Sequence, residues 1–199
     1  MKYHMLTSAL LLVVSSALSA NAQNLLRNGN FAKGNAGFIT EYAYSNPACG
    51  PGSYTIATNA GTQGCSGWVS IGPRNGRGQM FLADGSTSSE VKIWEEKVLV
   101  SQDTDYVFTF WGTCVDDGSN GNQTSIQVYF NGRASGRPLV LPDGYDGRWH
   151  KLTVHWNSQT DTTAKISIVD TDTVYLGNDF ALDDFKFSQN TGTFHWSIH

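Results

Sequence analysis

The chain has 199 residues, with 13 lysines and arginines against 17 aspartates and glutamates and a formal charge of −4. Its cationic residues are scattered, with no basic stripe or patch of the kind nucleic acid requires, so that partner is set aside. After the opening residues nothing is apolar enough to span a bilayer, which excludes a membrane span.

The opening residues read as an export signal. Lys2 supplies positive charge, Leu6 to Val14 form a short apolar run, and Ala20-Asn21-Ala22 matches an A-x-A cleavage site. A membrane helix would need about 20 apolar residues, and Ser15, Ser16 and Ser19 interrupt this run. Residues 1–22 are therefore expected to be a signal peptide, and the product to be secreted or periplasmic. Residues 23–188 suit one domain with a substantial core, and residues 189–199 read as a polar C-terminal tail carrying Phe194, Trp196 and Ile198.

Short alternating runs of β-branched and aromatic residues follow, separated by Gly, Asn, Asp and Pro. Expected strands cover residues 37–45, 53–58, 79–83, 90–101, 105–115, 124–131, 138–141, 150–157, 164–170 and 179–188. Cys49 and Cys65 both sit among turn residues, and a disulfide between them would close one loop. Cys114 shares parity with Tyr106, Phe108 and Phe110, so it reads as a buried free thiol. Asn131-Gly132 signals a two-residue hairpin, because a type I′ turn needs positive φ at both central positions. Many short strands without intervening helices point to an antiparallel β-sandwich or jelly roll.

The alternation also assigns faces. Trp111, Thr109 and Thr113 oppose the inward set of their strand. Gln127 and Tyr129 oppose Ile126, Val128 and Phe130, and Trp149, Lys151 and His155 oppose Leu152, Val154 and Trp156. Trp94 is expected in the core, its parity reversed by a bulge.

Three stretches carry a resemblance. Asn24-Leu25-Leu26-Arg27-Asn28-Gly29-Asn30-Phe31 resembles the first strand of carbohydrate-binding modules with the galactose-binding-like jelly-roll fold. Glu90 to Val98 followed by Asp105 to Trp111 resembles their central hairpin, and Gly177 to Phe185 is similar to their closing strand. The resemblance implies a secreted sugar-binding β-sandwich whose first and last strands lie side by side. By position it implies a structural Ca²⁺ held by Asp183 with Asn30 or nearby carbonyls, although Ala32 stands where relatives often carry a Glu. Asp184 is expected to point to the other face. The stretch Asp116 to Asn122 lacks the spacing of an EF-hand and reads as turn chemistry.

The off-core aromatics Trp111, Tyr129 and Trp149, with Gln127 beside them, are the expected ligand-binding residues. Rings of this kind stack on the C–H faces of sugars while polar neighbours bond the hydroxyls. No G-x-S-x-G elbow or H-E-x-x-H motif occurs. The expected function is non-catalytic recognition of a polysaccharide. The alternatives are a lyase or hydrolase on the same scaffold, or an adhesion or matrix module that associates with itself.

Overall fold

The computed structural model describes residues 22–174 and 176–191, so nearly all of the expected signal and residues 192–199 of the tail lie outside the described residues. Ten strands occur among the described residues: β1 (Ala43–Tyr44), β2 (Ser53–Ala57), β3 (Met80–Asp84), β4 (Lys92–Leu99), β5 (Asp105–Cys114), β6 (Ser125–Phe130), β7 (Arg133–Val140), β8 (His150–Asn157), β9 (Thr163–Asp170) and β10 (Asp179–Gln189). One helical turn, α1 (Ala60–Gln63), joins them. A six-stranded sheet in the order β1-β2-β3-β10-β5-β8 packs on a four-stranded sheet in the order β4-β9-β6-β7. All pairs are antiparallel except the short β1–β2 edge. The architecture is the β-sandwich expected from the alternation.

Side-chain parity explains the layering. Along β5, Tyr106, Phe108 and Phe110 are buried between the sheets, while Val107, Thr109 and Trp111 face outward and are half-buried. Cys114 lies on the buried face as a free thiol. Phe108, Phe130, Phe185 and Phe187 gather with Trp94 into one aromatic core, each ring contributing about 1.5–3 kcal/mol by leaving water. A register shift between Lys92 and Trp94 lets Ile93 and Trp94 both face inward. Asn131 and Gly132 have φ of 50° and 80°, as the hairpin between β6 and β7 demands.

Two segments depart from expectation. Residues 24–31 form no regular strand, although they do lie along β10. The Leu25 N–H donates to the Phe187 carbonyl at 2.8 Å, and the Phe185 N–H donates to the Gly29 carbonyl at 2.7 Å. A Cβ at Gly29 would stand 2.0 Å from that Phe185 carbonyl oxygen, so close approach requires glycine. Residues 37–45 are not one strand but a crossing between sheets. Ile39 pairs once with Glu95 of β4, and the chain then joins β2 in the other sheet as Ala43 and Tyr44.

The outer face of the six-stranded sheet is partly covered by residues 58–79. Trp68 and Ile71 from this cover pack with Ala60 onto Met80, Leu82, Val115 and Ala181 as a second, smaller core. The Cys49–Cys65 disulfide, 16 residues apart in sequence, ties the cover down.

Candidate functional site

Beyond that cover the outer face is open. Trp111 on β5 stands in register with Lys151 on β8 and Asp183 on β10, which places all three on the outer side. One row along, Thr109 lies between Thr153 and Lys186. Trp111, Lys151, Thr109 and Lys186 from these rows, with Asn24, Arg27, Asn30, Arg74 and Asp184, line an open groove of about 560 Å³.

A bulge shapes its floor. The β10–β5 register shifts between Asp183 and Lys186, where Asp184 has φ 53°, a left-handed conformation that Asp tolerates. The shift turns Phe185 into the core and leaves both Asp183 and Asp184 bonded to the loop at Arg74. The Arg74 backbone N–H donates to Asp183 Oδ2 at 3.0 Å, the Arg74 Nε pairs with Asp184 Oδ2, and Asn75 Nδ2 donates to Asp184 at 3.1 Å. Strict alternation would have separated the two carboxylates, and the bulge overrides it. Held by these bonds, the Arg74 guanidinium lies over the Trp111 ring, its Cζ 4.6 Å from the centroid, with Lys151 Nζ at 5.8 Å. Trp111 is therefore a ring capped by cations rather than a bare stacking platform.

The other expected ligand residues are elsewhere. Gln127 and Tyr129 lie on the outer face of the four-stranded sheet, on the other side of the sandwich. Gln127 Nε2 donates to the carbonyls of Val128 at 2.9 Å and Ser135 at 3.1 Å, inside the β6–β7 register shift, so it holds an irregular ladder together. Trp149 is half-buried against the second core. The structure does not bring these three together with Trp111.

The residues at the expected calcium position do not fit the ion. Ca²⁺ wants six to eight oxygens free to bind it. Asp183 Oδ1 accepts the Asp184 N–H at 2.7 Å, Oδ2 accepts the Arg74 N–H, and Asn30 Oδ1 accepts the Ala32 N–H at 3.3 Å. Arg74 already supplies a positive charge beside the two aspartates. Burial pushes the Asp183 carboxyl up to about 6, against the lowering pull of its N–H donors.

At the far end of β10 the chemistry reverses. Asp179 stands directly opposite Asp84 of β3, and the Val115 N–H donates to the Asp179 carbonyl, bringing Asp116 alongside. All three aspartates are buried, and with Trp68 and the disulfide they line a pocket of about 340 Å³. Asp84 Oδ2 accepts the Gly50 N–H at 2.7 Å, while its buried Oδ1 has no partner. Asp116 accepts the Gly118 N–H at 2.7 Å and Asn120 Nδ2 at 2.8 Å, the turn chemistry expected of that loop. Burial, followed by the charges of Asp84 and Asp116, pushes the Asp179 carboxyl up to about 8, while a bond from Trp68 opposes the rise. The Cys49 and Cys65 sulfurs also lie near Asp84, but as a disulfide they offer no thiolate to a metal.

Sequence reasoning missed Arg74, Lys186 and Asp84 as site residues. Parity could have found Lys186 and Asp84 once the strand pairing was known. Arg74 sits in a loop, where no period applies.

No protein-family model matches the chain, and no curated protein matches it in sequence. Among solved structures it is similar to the CBM22-1 xylan-binding domain of Paenibacillus barcinonensis Xyn10C, at 13% identity and TM-score 0.55, covering 88% of this chain and 100% of that one. It is also similar to part of the enzymatically active domain of bacteriophage CBA120 tailspike protein 4, at 10% identity and TM-score 0.52, covering 84% of this chain but 21% of that one. A third match is to part of the arabinose-bound α-L-arabinofuranosidase MgGH51, at 12% identity and TM-score 0.52, covering 84% of this chain and 26% of that one. The chain shares the β-sandwich fold of carbohydrate-binding modules.

Proposed function

We propose that the protein is an exported, non-catalytic polysaccharide-binding protein whose ligand lies in the Trp111 groove. The observation that carries this reading is the groove itself. It is open, crosses β8, β5 and β10, and pairs one aromatic with a hydroxyl and two lysines on those strands and with amide and guanidinium donors from residues 24–30 and Arg74. The fold shared with a xylan-binding domain supports it. A polysaccharide pull-down panel, run on the wild type and Trp111→Ala, tests the reading. Retention of at least one glycan, lost in the variant, is the expected result; no retention on any glycan overturns it.

A second reading rests on the acidic pocket. A glycosidase needs a carboxyl kept protonated near neutral pH together with a second carboxylate, and Asp179 beside Asp84 and Asp116 meets the first condition. Incubation with neutral and uronic-acid glycans, watched for reducing or unsaturated ends, decides it. Turnover abolished by Asp179→Asn would make the protein an enzyme.

A further inference from the structure

We infer that the Trp111 groove selects polyanionic polysaccharides, chains bearing carboxylate or sulfate groups, over neutral ones. This rests on the reading of the groove as a polysaccharide site and names its ligand class.

The first argument is local charge. The chain as a whole carries −4, yet Arg27, Arg74, Lys151 and Lys186 all line this groove and Asp184 is the one carboxylate among the lining residues. Asp184 is committed to Arg74 and Asn75. Arg27 Nε pairs with the buried Glu96 at 3.0 Å, but the Arg27 side chain stays 69% exposed. Among the described residues no carboxylate pairs with Lys151 or Lys186. Lys151 sits across from Trp111 on one side of β5, and Lys186 across from Thr109 on the other. Sheet spacings put their Cα atoms about 12 Å apart, so one extended chain crossing β5 can meet both. A concave surface lined by one sign of charge raises the local concentration of the opposite ion.

The second argument is what covers the ring. A neutral sugar gains most from an open aromatic face, and the Arg74 guanidinium already lies on that face at 4.6 Å. Its Nε is held by Asp184 and its backbone by Asp183, while the Nη groups have no partner among the described residues. A guanidinium fixed at one end and free at the other presents paired N–H donors in the geometry that carboxylate and sulfate oxygens accept. The folded chain thus gathers positive charge that gains a partner only when an anion arrives.

Titration calorimetry should compare polygalacturonate, dextran sulfate, neutral xylan and a single-stranded oligonucleotide. At about 50 mM salt one of the acidic glycans is expected to bind at least about tenfold more tightly than xylan. Its affinity should fall by at least about tenfold on going to about 500 mM, where the screening length is shorter than the groove. Lys151→Ala with Lys186→Ala should remove most of the salt dependence without moving the melting point, and Lys→Arg at both sites should restore it. Preference for polygalacturonate or for dextran sulfate would name the carboxylate or the sulfate. Equal, salt-insensitive binding of xylan would overturn this inference and leave the polysaccharide reading standing. Failure of every glycan would overturn both, and tighter binding of the oligonucleotide than of either acidic glycan would overturn the assignment to polysaccharide.

Discussion

Trp68 and Trp111 stand over the same outer face of the same sheet, and the chain uses them in opposite ways. Trp68 belongs to the disulfide-bound cover, clusters with Ile71, Met80 and Ala181, and bonds a carboxyl that burial keeps protonated. Trp111 is left beside an open groove with a guanidinium on its ring. The difference lies in what the flanking loops carry. Residues 60–71 bring Ala60, Trp68 and Ile71, which pack as an apolar cluster, whereas the loop at Arg74 brings a cation and an amide that bond Asp184 beside the open groove. One end of β10 thus gathers carboxyl groups under apolar cover, and the other gathers Arg74, Lys151 and Lys186 in the open.

The comparison breaks most easily at Trp68. Its removal should cost about 3–5 kcal/mol, as large-to-small aromatic changes in packed sites do. For a chain of this size that lowers the melting point by about 6–20 °C. Gly64 packs against the same ring, a Cβ there lying 1.8 Å from Trp68 Cε3, so Gly64→Ala should act in the same direction. Opening the Cys49–Cys65 bond ranks next, at about 3 kcal/mol for a loop of this length, measured by melting with and without reductant.

The acidic end makes a pH prediction. The Asp179 carboxyl is held at about 8 in the folded chain against an ordinary value of 3.8. Between those values the folded chain keeps a proton that the unfolded chain has lost, so stability falls as pH rises and is fully lost from this source above about 8. The groups facing Asp179 are Asp84 from β3, Asp116 after β5 and the Trp68 side chain, with no cation among them. Asp179→Asn should flatten the upper part of that fall and melt above the wild type near pH 8. A wild-type melting point that does not fall between about pH 6 and about pH 8 would mean that Asp179 titrates as an ordinary carboxyl.

How far the sequence showed this contrast depends on the element. The faces of β5, β6 and β8 follow from period-two alternation, because Phe108 or Val154 could be buried only one way. The disulfide was legible from two cysteines in turns, and Trp94 from suspicion of a bulge. The bulge at Asp184 was not legible, since positive φ at an Asp leaves no composition signal, and it put both carboxylates on one loop. Residues 37–45 alternate like a strand but change sheets midway, which only tertiary pairing decides. The groove's charge was hidden for a related reason. Arg27, Arg74, Lys151 and Lys186 are scattered along the chain, and only the β8-β5-β10 order gathers them. Tyr129 and Trp111 looked alike by parity, and parity cannot tell one sheet's outer face from the other's.

At the open end the expected effects on stability are small. Trp111→Ala should change the melting point by only about 2–4 °C, because a half-exposed ring loses about 1 kcal/mol, while abolishing glycan retention. A loss of stability as large as that of Trp68→Ala would show that the ring is a core residue and not a ligand platform.

The smallest effect expected is that of a chelator. If Ca²⁺ bridged Asp183 to the first segment, an ion at a hundred times its dissociation constant would add about 2.7 kcal/mol, and chelation would remove it. Both Asp183 oxygens instead accept backbone N–H groups, and the charge beside them is the Arg74 guanidinium, which no chelator extracts. Melting curves with and without chelator should therefore coincide, and Arg74→Ala should lower the melting point where chelation does not. A chelator-induced drop of several degrees that disappears in Asp183→Ala would reverse the assignment and put a metal where the guanidinium now suffices.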